Sequence, residues 1–185
     1  ICCVIMTVFS VLSVCFRQKV PLKMLIKKLM PTYLIALSTA SSAAAYTTNV
    51  DTCEKAFGID KKIYGMGIPL GQIVFKPCTV FQPMCGCLCF AALYGIRISL
   101  PQLIVIMFTV FILAIAEPPV PGVLVCCFTL LFSQIGVPME ALSIILALEC
   151  ILDRLGTSTN LLSLQTELIR FSDSVSLLDR SKLCR

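Results

Sequence analysis

Two long apolar runs in this chain are broken in the middle. Residues 98–135 are interrupted by Glu117-Pro118-Pro119-Val120-Pro121-Gly122, and residues 63–96 by Lys76-Pro77. Each proline removes a backbone donor and clashes with the preceding turn, so no straight helix runs through either point. Both runs are too apolar to be surface loops. The chain is 58% hydrophobic and only 14% charged, with a mean hydropathy of +0.96. Soluble domains average about 45–50% apolar and about 25% charged. Such a composition excludes a disordered chain and argues against a soluble enzyme. The class it points to is an all-α integral membrane protein. Broken backbone at membrane depth is tolerated only where it is buried in protein or lines a wet cavity. The breaks are therefore where function is expected.

The charges report topology. Arg17, Lys19, Lys23, Lys27 and Lys28 follow a charge-free run over 1–16. This is the signature of a cytoplasmic flank, whether it is a loop or a basic surface helix. Lys55, Lys61 and Lys62 form a second basic group, and Arg170, Arg180, Lys182 and Arg185 a third. If all three are cytoplasmic, twelve of the fifteen basic residues lie on one side. Arg97 lies on the other, and Lys76 and Arg154 fall within apolar segments. The net charge of +5 then reflects orientation in a lipid bilayer, plasma or inner membrane, and not a nucleic-acid partner. The C-terminus is expected on the cytoplasmic side.

Because both its flanks are basic, the stretch 29–52 must enter and return on one side. It holds the small, hydroxylated cluster 38–45, so its turning point is placed near Ser41-Ser42. The run 98–135 is read as a second such hairpin with its tip at 117–122. A hairpin followed by a helix with internal polar residues occurs twice, which suggests an inverted repeat around a midplane binding site. The expected organisation is a helix end and basic loop (1–28), a first re-entrant hairpin plus broken helix (29–96), a second hairpin plus final helix (97–172), and a cytoplasmic tail (173–185). Continuous or broken crossings are expected at 1–16, 63–96 and 138–170. The chain opens at Ile1 in mid-hydrophobic run, and is read as the later part of a longer protein.

Other chemistry is thin. There is no histidine among 185 residues, no H-E-x-x-H and no G-x-S-x-G, and the hairpin serines have no evident base. No catalytic residue is assigned and no enzyme is expected. Of the twelve cysteines, Cys85, Cys87 and Cys89 sit at alternate positions, which splays them around a helix. They are read as packing residues and no metal site is assigned.

Four stretches in order carry a family resemblance. They are Ser38-Thr39-Ala40-Ser41-Ser42-Ala43, the run from Phe57-Gly58-Ile59-Asp60 to Pro69-Leu70-Gly71, Val120-Pro121-Gly122 with Ile135-Gly136-Val137-Pro138, and Ile151-Leu152-Asp153-Arg154-Leu155-Gly156-Thr157-Ser158-Thr159-Asn160. The chain resembles the C-terminal half of the dicarboxylate/amino acid:cation symporters, which include the glutamate transporters. The resemblance implies a secondary transporter of a small carboxylate or amino acid, trimeric through helices outside this segment. Carried over by position, Asp153 holds the substrate's amino group, and Thr157 and Asn160 add polar contacts. Backbone at Ser41-Ser42 and at Val120, Pro121 and Gly122 takes the carboxylate.

The departures from the family are specific. Its cation-binding break, N-M-D-G-T, is Phe75-Lys76-Pro77-Cys78-Thr79 here, and only Thr79 survives. Its second cation-site aspartate falls on Leu164, and its substrate-pairing arginine on Gly156. Arg154 lies about 200° around the helix from Gly156 and does not replace that arginine. Hard cations need oxygen ligands, so the sodium site reads as degraded. Lys76 is expected to supply the missing charge, with Glu117 and Asp153 as its candidate partners. No cofactor is expected, and a proton is favoured over sodium as coupling ion. A neutral amino acid or a monocarboxylate is favoured over glutamate or aspartate. The alternative is a degenerate, non-transporting membrane fragment kept as an interaction or structural module.

Overall fold

In a computed structural model, which describes residues 1–116 and 123–184, those residues form helices joined by short connections. Among the described residues, the one β-bridge pairs Ile59 with Leu178. Helix α1 (Cys2–Gln18) ends on Lys19 in a left-handed conformation, φ 55°. Pro21 occupies the N-cap of α2 (Leu22–Thr39), which ends on Ala40 at φ 51°. A short turn leads to α3 (Tyr46–Asp51), which continues as a π-helical stretch, Thr52–Ala56. Helix α4 (Lys61–Val74) starts on Asp60, whose carboxylate accepts from the Lys62 N–H at 2.8 Å, an N-cap of the usual kind. Pro77 is the first residue of α5 (Pro77–Leu93), where its missing N–H costs nothing. Helix α6 (Leu100–Ala116) and α7 (Val123–Ile135) precede the 33-residue α8 (Leu142–Ser174), and α9 (Arg180–Leu183) closes the chain.

Helix α8 is the shared spine, about 50 Å long at 1.5 Å per residue. It contacts α1, α2, α4, α5 and α7. Its later half joins a core built from α1, α2, the π-helical stretch and α4, with Leu25, Leu29, Phe57, Ile68, Leu161 and Ile169. Its earlier half joins a second core made by α5, α6 and α7, with Ile106, Phe128, Leu131, Phe132 and Ile145. Polar groups stitch the later half into the first core. Ser163 meets Ser10 of α1 at 3.1 Å. The Gln165 amide donates to Thr32 and to Asn49, both at 2.9 Å. Interhelical pairs of this kind hold apolar bundles that lack a strong hydrophobic drive of their own.

One helix starts earlier than the sequence reading had it. The first hairpin arm was to begin at residue 29 after a basic loop, but α2 begins at Leu22. Leu25, Leu29, Thr32 and Ala36 form one buried stripe at helical spacing, so the helix persists through the lysines, and Lys23 and Lys27 stay exposed. The polar tail is docked on the first core. Lys28 donates to the carbonyls of Ala56, Lys182 and Leu183 at 3.0, 2.6 and 2.9 Å, and Leu183 is buried. Burial lowers the pKa of Lys28.

By length and apolarity, one helical stretch among the described residues can cross a membrane, Lys61–Leu93 with its break. Cys3–Gln18, Leu100–Ala116 and Val123–Ile135 are apolar but shorter. Phe108 and Ile112 on α6 are 65% and 62% exposed, so that face calls for a cover of lipid or protein.

Candidate functional site

Where the two cores meet along α8, a cleft forms against the break between α4 and α5. On α8 the cleft takes Asp153, Gly156, Thr157 and Asn160. Their spacing of three, four and seven puts them on one helix face. From the break come Phe75, Lys76 and Thr79, from the first turn Ala40 and Ser42, and from α7 Leu124. Thus Ser42, Lys76, Thr79, Asp153, Gly156, Thr157 and Asn160, which were singled out in the sequence, line one space. Ser41 sits in the same turn, its hydroxyl accepting from the Ala44 N–H at 3.3 Å, and does not line the cleft. Glu117, Val120, Pro121 and Gly122 lie outside the described residues. Arg154 is exposed.

The break is held from across the cleft. The Cys78 N–H, one of the first donors of α5, donates to Asn160 Oδ1 at 2.7 Å. Asn160 Nδ2 donates to Thr79 Oγ1 at 2.9 Å. Asn160 therefore caps α5 from α8, satisfying an N-terminal N–H that its own helix cannot. The polar contact expected of Asn160 is thus directed first at the protein. Cys78 Sγ also lies 2.9 Å from Cys3 Sγ on α1.

Leu164, where the resemblance implies a carboxylate, is 4% exposed. A Cβ added at Gly71 of α4 would run into its side chain, so this position is a close helix contact packed with hydrocarbon. Among the described residues no group of three or more His, Cys, Asp or Glu could hold a metal. Cys85, Cys87 and Cys89 are half-buried, buried and exposed, as their alternation implies.

Sequence reasoning missed two glutamines of the cleft. Gln72 donates through Nε2 to the Ser42 carbonyl at 3.2 Å, tying the first turn to α4. Gln82 faces Gly156, and a Cβ built on Gly156 would lie 2.9 Å from Gln82 Oε1. The signal was available, since uncharged amides inside apolar helices are as out of place as the charges that drew attention.

The profile of the Sodium:dicarboxylate symporter family matches residues 1–166. The chain is 26% identical over 134 residues to an excitatory amino acid transporter of Caenorhabditis elegans, covering 72% of this chain and 27% of that protein. It is 25% identical over 128 residues to human excitatory amino acid transporter 2, covering 69% and 22%. Against human excitatory amino acid transporter 1 it is 25% identical over 134 residues, covering 72% and 25%. The chain spans about a quarter of the length of these curated relatives. On the match to residues 1–166, the chain belongs to the sodium:dicarboxylate symporter family.

Proposed function

We propose that this chain is the substrate-handling part of a secondary transporter for a small amino acid or carboxylate, with coupling that does not require sodium. The observation that carries the reading is the cleft itself, which gathers Asp153, Lys76, Ser42 and Thr157 at a helix break between two cores. A carboxylate at this depth suits a substrate ammonium, and an ammonium with turn backbone suits a substrate carboxylate. Free space in the cleft is about 50 Å³, room for a few waters at the ~10–15 Å³ that one water needs. An amino acid enters only when a lining element moves, as alternating access demands.

The coupling proposal rests on chemistry. Sodium asks for oxygen ligands. The break offers Lys76 and Pro77 where relatives have a methionine and an aspartate, Leu164 fills its position with hydrocarbon, and the Asn160 amide is engaged on α5. Lys76 provides a fixed positive charge at that place, and a proton is the favoured coupling ion. We place α2–α3 and α6–α7 as re-entrant hairpins of an inverted repeat in a plasma or inner membrane, with the tail cytoplasmic and the intact protein a homotrimer.

The test is uptake by the intact protein in liposomes, with external sodium replaced by choline. Uptake is expected to persist without sodium and to fall when the proton gradient is collapsed. Strong sodium stimulation would overturn the coupling reading. The packing of Leu164 against Gly71 also favours a second reading, a non-transporting membrane module, and folded protein that takes up no amino acid or carboxylate would establish it.

A further inference from the structure

Gln82 stands on α5 with its amide facing α8 across the cleft. Its Oε1 fills the space beside Gly156 that a side chain there would need, 2.9 Å from the Cβ position. Its Nε2 is shielded from solvent and has no hydrogen-bond partner among the described residues. A buried donor without an acceptor costs about 1–3 kcal/mol. A fold keeps one at low cost only if something supplies the acceptor. Both Gln82 and Gly156 line the cleft that holds Asp153 and Lys76. The missing acceptor is therefore expected from the occupant of the cleft.

We infer that Gln82 reads the substrate's side chain, and that the substrate is a small zwitterionic amino acid whose uncharged side chain carries a hydrogen-bond acceptor, a hydroxyl or a carboxamide. This rests on the transporter reading above and deepens it. Six residues of α5 separate Lys76 from Gln82, a rise of roughly 9 Å. Backbone charges of the amino acid can thus be met near Lys76 and Asp153, while its side chain points along α5 toward the amide. Glycine at 156 is what permits this. Any side chain at that position drives the amide out of place. A neutral amide contributes direction without charge, so it rewards an acceptor and gives a side-chain carboxylate no counter-ion. Sites built to hydrogen-bond a group reject analogues that lack it, because a buried partner is then left unpaired.

The experiment compares uptake of L-serine, L-asparagine, L-alanine and L-aspartate by the intact protein in liposomes. It also measures thermal stabilisation of the purified protein by each amino acid. The wild type is expected to prefer serine or asparagine to alanine by roughly tenfold in kcat/KM, as one well-placed hydrogen bond implies. Gln82→Leu removes the orphaned donor and should unfold no earlier than the wild type, yet its serine-to-alanine ratio should collapse toward one. Gly156→Ser should erode the same ratio by displacing the amide. Gly156→Arg is expected to gain aspartate only in combination with Gln82→Ala, which clears the space. An unchanged ratio in Gln82→Leu, or a wild type that prefers aspartate, would overturn the inference and leave the transporter reading standing. If no amino acid is taken up but serine or asparagine stabilises the wild type and not Gln82→Leu, the side-chain reading holds and transport fails. Neither uptake nor stabilisation by any of the four would overturn both.

Discussion

Replacing Asn160 by leucine removes one side chain and uncaps a helix on the far side of the cleft. Three contributions follow from the geometry. The Cys78 N–H loses an acceptor at 2.7 Å, and loss of a helix N-cap costs about 1 kcal/mol. Cys78 is fully buried, so no water replaces the acceptor, and an orphaned buried donor adds about 1–3 kcal/mol. The Thr79 hydroxyl loses the Asn160 Nδ2 donor at 2.9 Å, worth about 1 kcal/mol. These overlap, because the groups share one network, and a total of about 2–4 kcal/mol is expected. For a domain of this size each kcal/mol moves Tm by about 2–4 °C, so Asn160→Leu should melt roughly 5–15 °C below the wild type. Asn160→Asp keeps an acceptor for the Cys78 N–H, at a helix N-terminus that favours negative charge, and should lose less. The assay is thermal unfolding of purified protein without substrate. A residue that only touches substrate would leave this Tm unchanged. An Asn160→Leu protein that melts within about 1 °C of the wild type, on the scale of those increments, would refute the capping role.

Gly71→Ala should destabilise by about 1–3 kcal/mol through overpacking against Leu164, and Leu164→Ala should recover part of it, so a double-mutant cycle in thermal unfolding should read a clear coupling; additive effects would separate the two helices. Cys3 and Cys78, with Sγ atoms 2.9 Å apart, should join under a mild thiol oxidant, each thiol losing one proton and one electron and the oxidant taking up the two electrons, and peptide mapping should find them linked; a different pairing would misplace α1. The pKa of Asp173 is lowered, first by the Gln18 amide at 3.0 Å and then by Arg180 at 2.7 Å. Its stabilising effect is therefore present above the ordinary aspartate pKa of about 3.9 and lost as pH falls through the lower folded value. The stability gap between wild type and Asp173→Asn should be full at neutral pH and close in acid below about pH 4; a gap that widens in acid would reverse the sign.

The break at Lys76-Pro77 was legible because proline is an unambiguous signal. Lys76-Pro77 reads as an interruption from sequence, and α5 starts at Pro77. Asp153, Gly156, Thr157 and Asn160, which the family resemblance singled out, share the face of α8 that lines the cleft. The start of α2 was not, since Lys23, Lys27 and Lys28 look like a loop until Leu25, Leu29, Thr32 and Ala36 are seen to form one buried stripe. Nor was the tail, whose docking depends on Lys28 finding three carbonyls remote in sequence. Gln72 and Gln82 escaped notice because a neutral amide leaves no trace in a charge count. What each one does depends on a partner in another helix, the Ser42 carbonyl for one and the bare face of Gly156 for the other.

That same distribution of partners separates the fixed from the yielding parts of the cleft. The break between α4 and α5 is fastened to α8 by both atoms of the Asn160 amide, and its Cys78 is fully buried. The first turn is fastened far more lightly. Ser42 is tied to α4 by the Gln72 hydrogen bond at 3.2 Å, and Ala43 and Ala44 beside it are exposed. Local opening is cheapest where few apolar contacts and few buried hydrogen bonds must be broken. Between these two elements, the exposed tip of the turn, residues 41–44 between buried Ala40 and Ala45, is expected to open before the break. On the proposed transport reading, the cleft-lining groups on α8 and α5 would keep their mutual geometry while the cleft opens. If the proposed transport holds, binding on one side of a membrane and release on the other would need that combination, with recognition held rigid and access left loose.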